Sequence, residues 1–281
     1  MTPTSSAPPS TGTVPPPGSS RRRGTAVPSG LLGVAGIAGF LVTWELVVRS
    51  GLVEPQYLPA ASTVLAELAS IATTATFWEA VGWTLRTWAI GLAVSGAAAI
   101  VLGLVIGGSR FLRRATHSTV EFLRPIPSVA LIPLAVLLYG TSMQATLLLV
   151  VYAAFWQVLI QILYGVRDVD PVADDTARSY GLGWTARVRY LVWPSALPYV
   201  MTGVRLGAAV ALILTITGEL VIGGGGVGTQ IALAQSGGAV PEMYALVVTT
   251  GLIGVAINLL VRAVERRALR WHVSVRREAV A

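Results

Sequence analysis

Long apolar runs separated by short polar or proline-containing breaks dominate the chain, and several exceed what the core of a water-soluble domain requires. A helix crossing a hydrocarbon layer of about 30 Å needs roughly 20 residues at about 1.5 Å rise. Runs of that order occupy 31–48, 79–107, 119–139, 145–164, 199–222 and 244–264, so six spanning helices are predicted. Between the first two, Val64, Leu65, Leu68 and Ile71 recur at helical spacing behind Leu58 and Pro59, which predicts a short helix on the outer surface. The second run holds Gly91, Ser95, Gly96 and Gly103, small residues that let membrane helices approach closely. The third contains Pro125, Pro127 and Pro133. Each removes a backbone donor and bends a helix, and such breaks survive at membrane depth only under cover of protein or a wet cavity.

The ends differ from the middle. Residues 1–29 hold seven of the 16 prolines among many Ser, Thr and Gly, and such a stretch buries too little apolar surface to offset its chain entropy. A disordered tail is predicted there, followed by a six-helix membrane domain over 30–265 and a basic tail over 266–281. Arg21, Arg22 and Arg23 before the first run imitate a secretion signal, but the run is long for a signal core and no cleavage pattern follows it. A retained first span is expected. The tail, the turn at Arg110, Arg113 and Arg114, the loop 165–197 and the C-terminus carry 3, 3, 4 and 6 arginines, against Arg49 alone in the opposite loops. The positive-inside rule then places both termini and the long loop in the cytoplasm of a multi-pass membrane protein.

Composition narrows the chemistry. The chain is 54% hydrophobic and 12% charged, about half the usual charged share. Its net charge of +7 is spread between apolar runs rather than gathered into a patch with stacking aromatics, so nucleic acid is not an expected partner. All 20 basic residues are arginine, which excludes a nucleotide loop built around a phosphate-binding lysine. There is no cysteine and hence no disulfide or thiolate metal site. His117 and His272 read as solvated rather than as ligands. No Ser-His-Asp set, metal cluster or carboxylate pair converges, so no catalytic site is expected. Gly223, Gly225 and Gly228 satisfy the spacing of a dinucleotide fingerprint, but such a loop needs a strand before it. A flexible outer loop or gate is expected instead.

The loop between the fourth and fifth runs describes a capped helix. Asp170 suits the N-cap, Pro171 the first helical position, and Gly181 the stop. Asp174 and Asp175 lie at the positive end of the helix dipole, and Asp174 stands four residues before Arg178. A second short helical piece over 184–192 leads to Pro194 and Pro198, where the chain is expected to break toward the fifth span.

This unit resembles the signature loop of ABC importer permeases: Glu-Ala-Ala, three free positions, Gly, nine free positions, Ile, one free position, Leu-Pro. Asp175, Thr176 and Ala177 stand at the triplet, Gly181 at the glycine, Leu191 at the isoleucine, and Trp193 and Pro194 at the end. The resemblance extends over 84–228, through Leu123-Arg-Pro-Ile-Pro-Ser-Val-Ala-Leu-Ile-Pro133 and Pro194-Ser-Ala-Leu-Pro198, and is closest to permeases for sulfonates, taurine, nitrate or thiamine precursors. It implies an all-α integral membrane fold of the type I importer kind and a transport subunit without catalysis. It implies no cofactor bound directly, ATP being used by two copies of a cytoplasmic subunit, together with a second permease chain and an extracytoplasmic solute-binding protein. It also implies an ATPase-coupling set of Asp174, Asp175, Thr176, Ala177, Arg178, Tyr180, Gly181, Leu182 and Pro194, of which Ala177, Tyr180, Gly181 and Leu182 face the partner.

Five polar residues inside or beside the spans are candidates for a translocation path: Arg124, Gln157, Arg205, Thr217 and Glu219. A carboxylate at membrane depth often marks an ion path, so Glu219 would be the carrier if the protein were instead an ion-coupled secondary transporter. The competing readings are structural: Glu219 as a partner of Arg205 or at the rim of its span, and Arg124 and Arg205 extending to the cytoplasmic interface.

Overall fold

A computed structural model describes residues 29–270. The N-terminal tail, the arginines at 21–23, His272 and most of the basic C-terminal tail lie outside the described residues. The regular elements among the described residues are all helical: α1 (Ser29–Arg49), α2 (Ala61–Ile71), α3 (Ala75–Gly108), α4 (Arg110–Leu123), a 3₁₀ turn (Ser128–Leu131), α5 (Ile132–Tyr139), α6 (Met143–Arg167), α7 (Pro171–Ser179), α8 (Trp184–Arg187), a π turn (Val188–Val192), α9 (Trp193–Ile222), α10 (Val227–Ser236) and α11 (Val240–Ala268). Among the described residues, α1, α3, α6, the continuous 184–222 stretch and α11 are each long and apolar enough to cross a membrane, whereas α4 and the 128–139 segment meet that test only when the bent pair is taken together.

The core forms around α6, which packs against α3 on one side and α9 on the other. Small residues every fourth position make this possible. On α3 the stripe is Gly91, Ser95, Ala99, Gly103 and Gly107, all buried. A Cβ at Gly103 would lie 2.6 Å from Ile162 Cγ2, and one at Gly107 would lie 2.8 Å from Val166 Cγ1. On α9, Gly203, Gly207 and Ala211 repeat the spacing, and a Cβ at Gly203 would meet the Val158 backbone at 3.1 Å. Helices that approach this closely gain dispersion contacts that lipid cannot match. Trp88 Nε1 donates to the Ala208 carbonyl at 3.0 Å, tying α3 to α9 directly.

The outer helices are pinned by polar contacts. Glu45 accepts from the Ser62 backbone and hydroxyl at 3.0 and 2.8 Å and also pairs with Arg49, so one carboxylate caps α2 and holds it to α1. Arg205 of α9 pairs with Glu265 of α11.

Two spans differ from the sequence expectation. The third run is not one helix from residue 119. The arginines at 110, 113 and 114 form the opening turns of α4, and the chain then bends by 80° before the 3₁₀ turn and α5. Pro125 and Pro127 make the break, whereas Pro133 sits in the first turn of α5 and bends nothing, because a first-turn N–H has no intrahelical partner to lose. Tyr152 donates to the Leu123 carbonyl at 2.5 Å, satisfying backbone that the break frees. The fifth span begins earlier than residue 199. Pro194 lies in the first turn of α9, Pro198 lies inside it, and the π turn just before them absorbs the misfit. The polar connection between spans therefore shrinks to residues 168–183.

Candidate functional site

The loop helix α7 is built as its sequence dictates. Asp170 accepts from the Val172 N–H at 2.9 Å and Pro171 follows it. At the other end the Gly181 N–H donates to the Arg178 carbonyl at 2.9 Å and the Leu182 N–H to the Ala177 carbonyl at 3.0 Å. This crossed pair needs a left-handed residue between α7 and Leu182, and Gly181 supplies it at φ +75°.

Asp174 does more than its spacing foretold. It accepts from Arg178 at 2.9 Å, as expected for residues four apart, and also from Arg187 Nε at 2.8 Å. The second contact clamps α7 to α8. Partial burial works to raise the Asp174 carboxyl, but the hydrogen bonds from Arg187 and Arg178 together outweigh it and hold the group below the usual carboxylate range. Trp184 at the start of α8 packs against Gly108 at the end of α3, where a Cβ would lie 3.3 Å from its indole nitrogen. Gly165 of α6 lies under Ala196 and Tyr199 of α9, and the Tyr199 hydroxyl donates to Asp168 at 2.8 Å. The α7–α8 unit is thus tied to the end of α3 through Trp184, while the chain leaving α6 is tied to α9 through Gly165 and Asp168.

Its outward face is free of the rest of the chain. Tyr180 is 81% exposed, Asp175, Thr176, Arg178 and Gly181 are exposed, and Ala177, Leu182 and Pro194 are half-buried. Eight of the nine loop candidates are thereby gathered into one projection. Pro194 stands apart as the start of α9.

The other end of α9 holds a second arrangement. Glu219 is 1% exposed; its Oε2 accepts from Thr84 Oγ1 at 2.8 Å and from the Gly228 N–H at 3.1 Å, and Thr84 accepts in turn from the Val227 N–H at 2.9 Å. Glu219 Oε1 is buried without a partner. The carboxylate therefore lies at the N-terminus of α10, where backbone donors and the helix dipole favour negative charge. Glycine is required around it: a Cβ at Gly226 would collide with the Glu219 carboxyl, and one at Gly225 would lie 2.9 Å from the Trp83 ring. The glycine run is a packed clamp rather than a loose loop. Two of its closing amides, of Val227 and Gly228, are already taken by Thr84 and Glu219.

The five in-span candidates do not converge. Glu219 and Arg205 are 14 positions apart on one helix, about 21 Å along its axis, and Arg205 has Glu265 as its partner instead. Arg124 lines a cleft of about 550 Å³ with Arg113 and Arg167, at the arginine-rich end. Gln157 on α6 and Thr217 on α9 are half-buried. Thr84 and Arg187 escaped the sequence reading, because their partners Glu219 and Asp174 lie 135 and 13 residues away and no local pattern signals either pairing.

Comparison with known proteins fits this architecture. The family described as binding-protein-dependent transport system inner membrane component matches residues 99–270. The taurine transport system permease protein TauC of Escherichia coli K12 is 28% identical over 246 residues, covering 86% of this chain and 90% of that protein. A putative aliphatic sulfonates transport permease protein of Bacillus subtilis is 24% identical over 234 residues, 83% of this chain and 85% of its own. A solved bacterial ABC transporter involved in import of the acidic polysaccharide alginate contains a chain of the same fold, with TM-score 0.60 at 14% identity, covering 84% of this chain and 96% of that one.

Proposed function

This chain belongs to the family of binding-protein-dependent transport system inner membrane components, and from that premise we propose that it forms one half of a translocation path whose motion is driven through α7 by a separate ATPase. It is an ABC importer permease, an all-helical membrane subunit. In the proposed assembly two copies of a cytoplasmic ATP-binding subunit meet two permease chains of this kind, and a solute-binding protein delivers cargo from outside. Both termini and α7 face the cytoplasm in this reading, supported by the arginine distribution.

The observation that carries the reading is the α7 projection: a doubly capped helix, clamped by Asp174 to Arg187 of α8 and presenting an open face, with α8 in turn meeting the end of α3 through Trp184. A push at that face is transmitted rather than absorbed, since capped helices and packed glycine contacts deform little. A set of side chains that merely closed the loop would have no reason to leave Tyr180 so exposed.

The cargo proposed is a small anionic solute bearing a sulfonate or a similar group; nitrate and pyrimidine precursors belong to the same wider proposal. Relatives named for taurine and aliphatic sulfonates support it. Gln157 and Thr217 are the proposed path residues. Glu219 is assigned to the α10 clamp and Arg205 to the α11 pair.

Replacing Tyr180 tests the coupling role without disturbing the fold, because the side chain touches little else. In membranes containing the whole transporter, Tyr180→Asp is expected to lower solute-stimulated ATP hydrolysis and uptake by roughly tenfold or more, as loss of one central interface aromatic does, with membrane insertion unchanged. Full stimulation in the variant would remove α7 from the coupling path.

A further inference from the structure

At the arginine-rich end, a cleft of about 550 Å³ opens between α4 and the close of α6. Arg113 reaches it from α4, Arg124 from the break after α4, and Arg167 from the last position of α6. A shallower hollow continuous with it adds Arg110 and Arg114. Among the described residues none of these five arginines makes an ion pair. Glu121 is the single carboxylate on the cleft wall, and it faces His117 at 3.3 Å. Five guanidinium groups held together without a partner raise a local positive potential that a bound anion would relieve.

Ile106, Val120, Ile160 and Leu163 give the cleft an apolar wall, with Thr116, His117 and Tyr164 beside it. The setting of α4 adds a second, independent feature. None of its residues is buried, and Phe111 and Phe122 are 76% and 73% exposed. An arginine-bearing helix with outward phenylalanines is the pattern of a helix lying at the headgroup level of a bilayer.

We propose that this cleft binds a phosphate-type oxyanion through Arg113, Arg124 and Arg167, and that an anionic phospholipid of the adjoining leaflet carries it. The planar fork of arginine matches two phosphate oxygens at once, while the apolar wall accommodates the first carbons of an acyl chain. On the orientation proposed above, the leaflet is the cytoplasmic one, whose anionic headgroups collect at such basic pockets. A free cytoplasmic oxyanion shares the phosphate chemistry but leaves the apolar wall unused.

The test uses the full-length chain in neutral detergent, with bound lipid counted by native mass spectrometry after exposure to phosphatidylglycerol or phosphatidylcholine. The double variant Arg124→Gln/Arg167→Gln is compared with Arg266→Gln/Arg267→Gln, which removes the same charge from the last turn of α11. Phosphatidylglycerol retention is expected to fall about thirtyfold in the first and little in the second, from the contribution of each headgroup-facing arginine. Arg124→Lys, which keeps charge and loses the fork, should fall between. Equal losses in both double variants, or no loss in the first, would overturn the site. Binding of inorganic phosphate that depends on Arg124 and Arg167, without lipid retention, would overturn the lipid source. Detergent binding reads the cleft whichever way the chain faces the membrane, so failure here leaves the transport reading standing.

Discussion

Asp174 is engaged from two helices at once, by Arg178 within α7 and by Arg187 in α8, and that doubling makes it the residue on which the loop's shape turns. Its carboxyl is held below the ordinary aspartate value of 3.8, so its contribution is complete above that value and is lost as pH falls through the lowered folded value. Amide exchange over 171–187, corrected for intrinsic rates, should therefore be constant from about pH 8 to about pH 5 and rise only in the more acidic range. Asp174→Asn should show the fast exchange at every pH, because an amide keeps the shape and loses both ion pairs. The caps and the Arg178 pairing were legible in the sequence, since each depends on neighbours within a turn or two. The Arg187 clamp and the Thr84 contact to Glu219 were not, because a pairing between separate helices leaves no mark in the spacing along either one. For the same reason the partnership of Glu219 with Arg205 is not formed: Arg205 pairs with Glu265, and a helix N-terminus is folded back onto the Glu219 carboxylate.

At the scale of elements, the small-residue stripe on α3 sets how near α6 can come, but glycines in one helix are not equivalent. A Cβ at Gly103 meets Ile162 within 3.0 Å, whereas one at Gly96 has nothing within 4 Å. Gly103→Leu should accordingly cost about 1–3 kcal/mol or more through forced separation of α3 and α6, read as a lowered midpoint of thermal unfolding in detergent. Gly96→Ala should leave the midpoint unchanged or raise it slightly, since alanine favours the helix. A similar loss at both positions would mean that close approach is not what holds the pair. Sequence identified the small residues but not which face α6 occupies. The prolines show the same division: their presence signalled breaks, yet Pro125 and Pro127 break the chain while Pro133 and Pro194 open helices and Pro198 is absorbed inside one. The outcome depends on whether the missing donor falls in a free first turn, as at Pro133, or within a continuous helix whose π turn absorbs the misfit, as at Pro194 and Pro198, which is a matter of packing.

For the whole molecule, the asymmetric arginines make a prediction about sidedness that the native chain is well suited to test, because it contains no cysteine. Tyr180→Cys and Leu52→Cys place single thiols at exposed positions in α7's outward face and in the α1–α2 connection. A membrane-impermeant thiol reagent should label Leu52→Cys from outside intact cells and Tyr180→Cys only in inverted vesicles. The reverse pattern, or labelling of both from one side, would overturn the proposed topology and with it the docking of an ATPase at α7.

What the sequence determined by itself was everything that rests on local chemistry or on solvent: spans, because lipid demands long apolar helices; the capped loop helix, because caps act within one turn; and the absence of a phosphate-binding lysine or a thiolate ligand, because composition settles it. What only the tertiary structure decided was which distant groups meet. The 80° bend after α4, the Glu219 clamp on α10, the Arg205–Glu265 pair and the arginine cleft all arise where helices far apart in the chain come within a few ångströms. Hydropathy fixes how deep a helix lies, but its rotation and neighbours follow from side-chain packing, and those decide where each polar group finds its partner.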